Sequence, residues 1–289
     1  MKKTLIFTFL IMMICLQLFG VEAVAQPPPS TGPPLKRVTL SYEHSTDHCI
    51  HWWDDFARLG TLFAPDYTRG QILPMLDLQI DRINSHTYKT HLGLIGRHIP
   101  TSNSFKRLFG WNVYYDYRSG PFHWLGLGME MLGSRFDFRA NVYIPFLTYH
   151  RVEHDRFTYT DGFFAVKNRY LYSLYGVNAE FGWLAVNSKN FLLYTAATPY
   201  FFWRPSFATY VPGIKFRIRP QFRDLFAIDL GVTCDTYCNT VFQAQFIFYI
   251  PLYTIKSKPS PRYFSNRQIY QPTERIDPLG CRCCWHKNF

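Results

Sequence analysis

The sequence predicts an all-β fold: a closed, antiparallel transmembrane β-barrel of about twelve strands, with ten as the lower bound. Three observations carry that expectation. The stretch 108–145 holds three consecutive runs of strictly alternating apolar and polar residues, joined by turns of a few residues. The chain is 47% hydrophobic and 19% aromatic, yet beyond its amino-terminal segment no run of roughly 18 residues is continuously apolar, as a membrane helix requires. The amino terminus, finally, has the make-up of an export signal.

Lys2 and Lys3 precede an uncharged apolar run from Leu5 to Phe19, and Ala23-Val24-Ala25 follows. A basic start, an apolar core of roughly 15 residues and an Ala-x-Ala site are the parts of a cleaved secretory signal. Residues 1–25 therefore read as a signal peptide, and export as the consequence. The run is short for a spanning helix of about 20 residues, and Cys15 lacks the small residues that precede a lipidated cysteine. Residues 26–70 read as a leader and periplasmic segment. Gln26–Pro34 carries five prolines and stays extended; Lys36–His44 suits an early strand and Trp52–Leu59 a short helix.

The barrel is expected over 71–252, with strands near 71–81, 87–97, 108–118, 121–132, 134–145, 170–185, 190–203, 207–219, 224–235 and 239–251. In the first of the three clear runs Trp111, Val113, Tyr115 and Tyr117 oppose Asn112, Tyr114, Asp116 and Arg118. In the second, Leu125, Leu127, Met129 and Met131 oppose Gly126, Gly128 and Glu130. In the third, Phe136, Phe138, Ala140, Val142 and Ile144 oppose Asp137, Arg139, Asn141 and Tyr143. Strand side chains alternate faces, so each run has one apolar and one polar face. The polar stretch Phe146–Arg169 reads as a long surface loop with room for a small hairpin. Residues 253–289 form a basic, Cys-containing tail without alternation.

A soluble two-sheet sandwich alternates in the same way. Three features favour a barrel whose apolar face meets lipid. The polar face mixes both charge signs among glycines: Asn112, Asp116, Glu130, Asp137, Arg139, Asn141, Glu180 and Arg217 are its core, and such a mixture suits a lumen where opposite charges pair. Short and long connections alternate, as periplasmic turns and outer loops do. Closing the sheet also removes its edges, which hydrocarbon would penalise. The lumen residues either tune passage of a solute or a threading tail, or simply fill and stiffen the barrel.

The net charge of +11 is spread along strands and tail, and an exported chain meets little nucleic acid, so no nucleic-acid partner is expected. The expected partners are outer-membrane lipid, periplasmic chaperones and the barrel-assembly machinery, with host-surface contact left open. Cys234 and Cys238 flank the tip Asp235-Thr236-Tyr237 and either staple that hairpin with a disulfide or remain free thiols. His44, His48, Cys49 and His51, with Asp47, Asp54 and Asp55, lack the spacing of a structural zinc site, and Cys281, Cys283, Cys284 and His286 sit on a tail that offers no rigid cage. No metal or cofactor is expected. His86, His123, His150 and His154 fall in loops without a nucleophile serine in a recognisable setting, so neither catalytic residues nor an enzyme are expected.

Gly110, Asn112, Tyr115 and Asp116, then Gly126, Gly128 and Glu130, then Asn141, Tyr143 and Pro145 form three linked motifs in order. They resemble the β-domain of the intimin/invasin-type inverse autotransporters, with Gly93, Gly96 and Arg97 similar to the preceding strand and the likeness extending over about 70–250. The resemblance implies a twelve-stranded outer-membrane barrel whose pore guides a carboxy-terminal passenger to the cell surface. Relatives carry long adhesin repeats after the barrel, where about 37 residues follow here, so the expectation is a translocator barrel alone. Intact-mass measurement of the purified protein is expected to place its first residue at or near Gln26.

Overall fold

The computed structural model describes residues 35–46, 55–65, 71–83, 87–98, 107–119, 122–146, 149–158, 164–188, 190–223, 225–236, 239–252 and 279–288. Its strands are β1 (Leu35–Ser45), β2 (Phe56–Phe63), β3 (Ile72–Arg82), β4 (Tyr88–His98), β5 (Arg107–Arg118), β6 (Phe122–Gly133) and β7 (Phe136–Pro145). There follow β8 (Tyr149–Thr158), β9 (Phe164–Ser173), β10 (Tyr175–Asn187), β11 (Phe191–Arg204), β12 (Thr209–Phe222), β13 (Phe226–Asp235), β14 (Asn239–Pro251) and β15 (Leu279–Asn288). Twelve of them close a barrel in the order β1-β14-β13-β12-β11-β10-β7-β6-β5-β4-β3-β2, and β15-β9-β8 form a separate three-stranded sheet. The seam pairs β1 with β14 antiparallel from Arg37↔Pro251 to Ser45↔Gln243. No helix among the described residues is long and apolar enough to cross a membrane.

The alternating faces settle which way the barrel turns. Met129 is 69% exposed and Phe136 67%, whereas Arg97 and Asp81 are fully buried and Arg139 is 1% exposed. A water-soluble sheet would reverse this distribution. Here the apolar faces look outward, where hydrocarbon is their solvent, and the ionic faces look into the bore. In hydrocarbon each unpaired backbone amide costs several kcal/mol, and the closed ladder leaves no strand edge to lipid.

Because every neighbouring pair is antiparallel, strand ends alternate between two rims. One rim holds the start of β1 and the end of β14, where the Leu252 amide donates to the Lys36 carbonyl at 2.8 Å; we call it the closing rim. The opposite rim carries the β8–β9 hairpin. Outward aromatics ring both. At the hairpin rim Tyr88 meets Tyr117 (5.9 Å between ring centres), Tyr117 meets His123 (5.0 Å) and Tyr175 stacks on Trp203 (6.1 Å). At the closing rim the ring is phenylalanine: Phe191–Phe222 (5.2 Å), Phe222–Phe226 (6.4 Å) and Phe226–Phe248 (5.1 Å). Such aromatic girdles mark the two interfaces of a membrane barrel.

The structure departs from the sequence reading in five places, the first being that His123, on β6, and His150 and His154, on β8, lie in strands rather than loops. The barrel begins at Leu35 rather than Gln71, because β1 and β2 supply the eleventh and twelfth staves. Phe56–Leu59 is strand, not helix: Arg58, Gly60 and Leu62 face inward in alternation, and β1 and β3 pair with β2 on either side. Trp52–Asp54 lie outside the described residues. The single strand expected over 170–185 is broken at buried Leu174 into β9 and β10, since β9 leaves the barrel wall to pair with β8. The tail, finally, contributes a strand, β15, where no alternation announced one.

Arginine in place of Met129, on the lipid face of β6, is expected to destabilise the barrel by about 2–4 kcal/mol, the cost of a cation near the bilayer midplane. Urea unfolding in lipid vesicles, followed by the loss of the heat-modifiable band, measures it.

Candidate functional site: the polar interior of the barrel

The inward faces of the staves build a continuous network of ion pairs. Glu130 on β6 lies in register with Arg139 on β7, and Arg139 with Glu180 on β10. Arg97 on β4 forks onto Glu130, its Nη2 donating to Oε2 at 3.1 Å beside a second bond from Nε. Arg139 donates to Glu180 and, at 2.8 Å, to the Tyr194 hydroxyl. Glu180 Oε2 accepts from Arg217 at 2.6 Å, reaching past β11 where small Ala196 stands beside Arg217 in the register. Asp229 then takes Arg219, whose Nε donates at 2.9 Å, and Arg217 at 3.5 Å. The network thus runs from β4 to β13 across the wall.

A second group links β2 to β5. Arg58 donates to both oxygens of Asp81, at 2.6 and 2.7 Å. The ring of His91 stands between Asp81 (3.2 Å) and Asp116 (2.8 Å), so both its nitrogens face carboxylates. Asn141 donates to Asn178, which donates to the Tyr143 hydroxyl, each at 2.9 Å. An isolated charge in such surroundings would cost several kcal/mol, and pairing with hydrogen bonding makes its burial tolerable.

Glycines explain how large side chains fit inside. A Cβ on Gly110 would lie 2.6 Å from a Glu130 carboxylate oxygen, and one on Gly128 would meet both Asn112 and Asn141. The Tyr114 ring lies over Gly93 in the same way, and Tyr194 over Gly182. Each glycine lets its neighbour's side chain lie along the wall instead of projecting across the bore. Near β1, β2, β3, β12 and β14 a cavity of about 60 Å³ remains, lined by Arg58, Asp77, Gln79, Arg219, Gln245 and Tyr249 among others.

The residues singled out from the sequence come together as follows. Asn112, Asp116, Glu130, Arg139, Asn141, Glu180 and Arg217 all face the interior and are under a tenth exposed; Asp137 accepts from Arg139 at 3.3 Å and from the Gly133 amide at 3.1 Å. Of the motif residues, Gly126 faces Tyr114 and Tyr143 in register, Pro145 faces Trp124, and Tyr115 points outward to His123 with 2.5 Å between hydroxyl and Nδ1. Cys234 is a free thiol 3.7 Å from the Thr240 hydroxyl; Cys238 lies outside the described residues. His44 pairs with Asp55 at 2.9 Å, while His48, Cys49, His51, Asp47 and Asp54 lie outside the described residues, as does His86. Among the described residues no three His, Cys, Asp or Glu groups are placed to hold a metal.

Sequence reasoning overlooked an apolar collar. Leu62, Leu73, Met75, Ile95, Leu108 and Leu132 point inward near the closing rim, each at most 3% exposed, and pack together. The available signal was parity: Leu73 and Met75 share their face with Asp77, Gln79 and Asp81.

Glu130→Ala is expected to cost about 3–5 kcal/mol because it removes the buried carboxylate onto which Arg97 forks. Gly110→Val attacks the same bond by displacing the Glu130 carboxylate. The double variant should therefore fall short of the sum of the singles by about 1 kcal/mol or more in a double-mutant unfolding cycle.

Comparison with known proteins agrees with this architecture. Residues 60–162 match the family model described as inverse autotransporter, beta-domain. No curated protein sequence matches the chain significantly. A solved structure described as "Unveiling the Mechanism Behind the in-meso Crystallization of Membrane Proteins" aligns with a TM-score of 0.63 at 13% identity, covering 86% of this chain and 100% of that one. The KdgM porin in complex with disordered oligogalacturonate aligns at 9% identity and TM-score 0.42 over 73% of this chain and 98% of its own. The β-domain of the Bordetella autotransporter BrkA aligns at 10% and 0.34 over 75% and 99%. The chain is thus a closed twelve-stranded antiparallel transmembrane barrel, and its stretch 60–162 is matched by the inverse autotransporter β-domain.

Proposed function

We propose that this barrel, exported by its amino-terminal signal and inserted with the help of periplasmic chaperones and the barrel-assembly machinery, carries its own carboxy-terminal segment through its interior to the outer face. The role is transport, not catalysis. One observation carries the reading: β14 ends at the closing rim beside the start of β1, whereas β15 pairs with β9 of the hairpin at the opposite rim. On this reading residues 253–278 join the two rims through the bore.

Two routes are conceivable, and the sequence of the connection disfavours one. Residues 253–278 include Lys256, Lys258, Arg262, Arg267, Glu274, Arg275 and Asp277, which hydrocarbon would penalise heavily. The interior, lined with both charge signs, does not. Fully extended, a segment of this length reaches roughly 90 Å, well beyond the ~25 Å apolar band of such a barrel. The hairpin rim is the outer one on this reading, because the long connection from β7 to β10 lies there and membrane barrels keep long loops outside and short turns on the periplasmic side.

An epitope placed after Phe289 is expected to bind antibody on intact cells, while one inserted after Gln26 binds only once the outer membrane is permeabilised. An epitope after Phe289 that also requires permeabilisation overturns the reading.

A further inference from the structure

We infer that the free edge of β9 is a strand-acceptor site that captures segment 279–288 as it emerges, so that backbone pairing at the outer rim holds the exported tail in place. This rests on the export reading above and adds what retains the tail.

β9 has two edges. One is taken by β8, with a register shift between Arg151 and Glu153. The other is taken by β15 over ten consecutive pairs, from Leu279↔Ser173 to Asn288↔Phe164, without a shift. Without β15 that edge would be an open row of backbone donors and acceptors, the kind of edge that recruits an extended segment. β15 belongs to no stave of the barrel, so the pairing serves no purpose in closing the wall.

The acceptor is fixed to the rim. The Tyr172 hydroxyl lies 2.7 Å from that of Thr209 at the start of β12, and Arg204 at the end of β11 donates to the Ser173 carbonyl at 3.3 Å. Leu174, the next residue, is fully buried. The rim end of β9 is therefore held by two neighbouring staves.

Direction supplies the decisive argument. β9 runs toward the rim and ends there at Ser173, so its antiparallel partner runs away from it. Leu279 is the residue at the rim and Asn288 the one farthest out. A chain leaving the bore presents its residues in that geometry, its rim-proximal part against the anchored base of β9 and its leading part against the tip. Each additional pair opposes backsliding into the bore. The recognition is of backbone, which suits a segment such as Gly280-Cys-Arg-Cys-Cys-Trp285 that lacks a strand-like alternation.

The test uses the full chain with an epitope after Phe289, and external protease added to intact cells. β15 is an edge strand whose alternate amides face β9, so of two adjacent residues one amide is in the ladder. The pair Arg282→Pro and Cys283→Pro removes that amide whichever it is. The pair Arg282→Ala and Cys283→Ala removes the same side chains and keeps both amides. Heat-modifiable migration checks that each barrel is formed. The alanine pair is expected to lose the epitope within about two-fold of the wild-type rate, and the proline pair at least about ten-fold faster, as a locally opened strand does. A proline pair cleaved no faster than the alanine pair overturns strand capture and leaves export standing. A wild-type epitope out of reach from outside overturns both.

Discussion

The need to pair every backbone amide in a medium that offers no hydrogen bonds governs this structure. A sheet of these staves laid open would expose two edges to hydrocarbon, and the β1–β14 seam abolishes them. That seam joins parts of the chain some 200 residues apart, as the bond from Gln243 to Glu43 and that from Gln245 to Ser41 show. Once the ring is closed, alternation does the rest. Outward positions must be apolar, and inward positions are withdrawn from lipid and free to carry charge.

Freedom to carry charge inside is conditional. The inward groups are buried from water almost as fully as from lipid, so each needs a partner in the wall. The network from Arg97 to Asp229 meets that need by chaining acids and bases, in which each carboxylate serves two or more cations: Glu130 lies between Arg97 and Arg139, and Glu180 between Arg139 and Arg217. Shared partners make the network stiff, because displacing one arginine leaves a carboxylate partly satisfied and its other arginine overcommitted. The motif glycines belong to the same device. Gly110 and Gly128 are small because Glu130, Asn112 and Asn141 occupy the space a side chain would take.

Much of this was legible in the residues, and the limits have physical causes. Period-two alternation gave the staves from Ile72 to Pro251 and the inward set Asn112, Asp116, Glu130, Arg139, Asn141, Glu180 and Arg217, since facing depends only on parity. It failed for Phe56–Leu59, where Trp52 to Asp54 precede a stretch too short for its period to be distinct, and pairing with β1 and β3 decided the outcome. It was silent on which charges meet, because Glu180 reaches Arg217 across a whole strand, a contact set by register and the smallness of Ala196. The collar of Leu62, Leu73 and Leu132 was overlooked because inward was equated with polar. β15 could not be foreseen, since an added strand is recruited by a waiting edge and its own side-chain pattern need not show it.

The parity of the barrel links fold to proposed role. In a closed antiparallel ring an even number of staves brings the chain back to the rim from which it started, and here twelve staves return it to the closing rim beside Lys36. A segment that follows the last stave therefore begins on the side where the first one began. β15 nevertheless pairs with β9 at the other rim, and the proposed role takes the ionic interior as the route between them. On the proposed reading, strand count sets the need for passage, and the particular residues add an ionic interior and a hairpin edge already paired with β15.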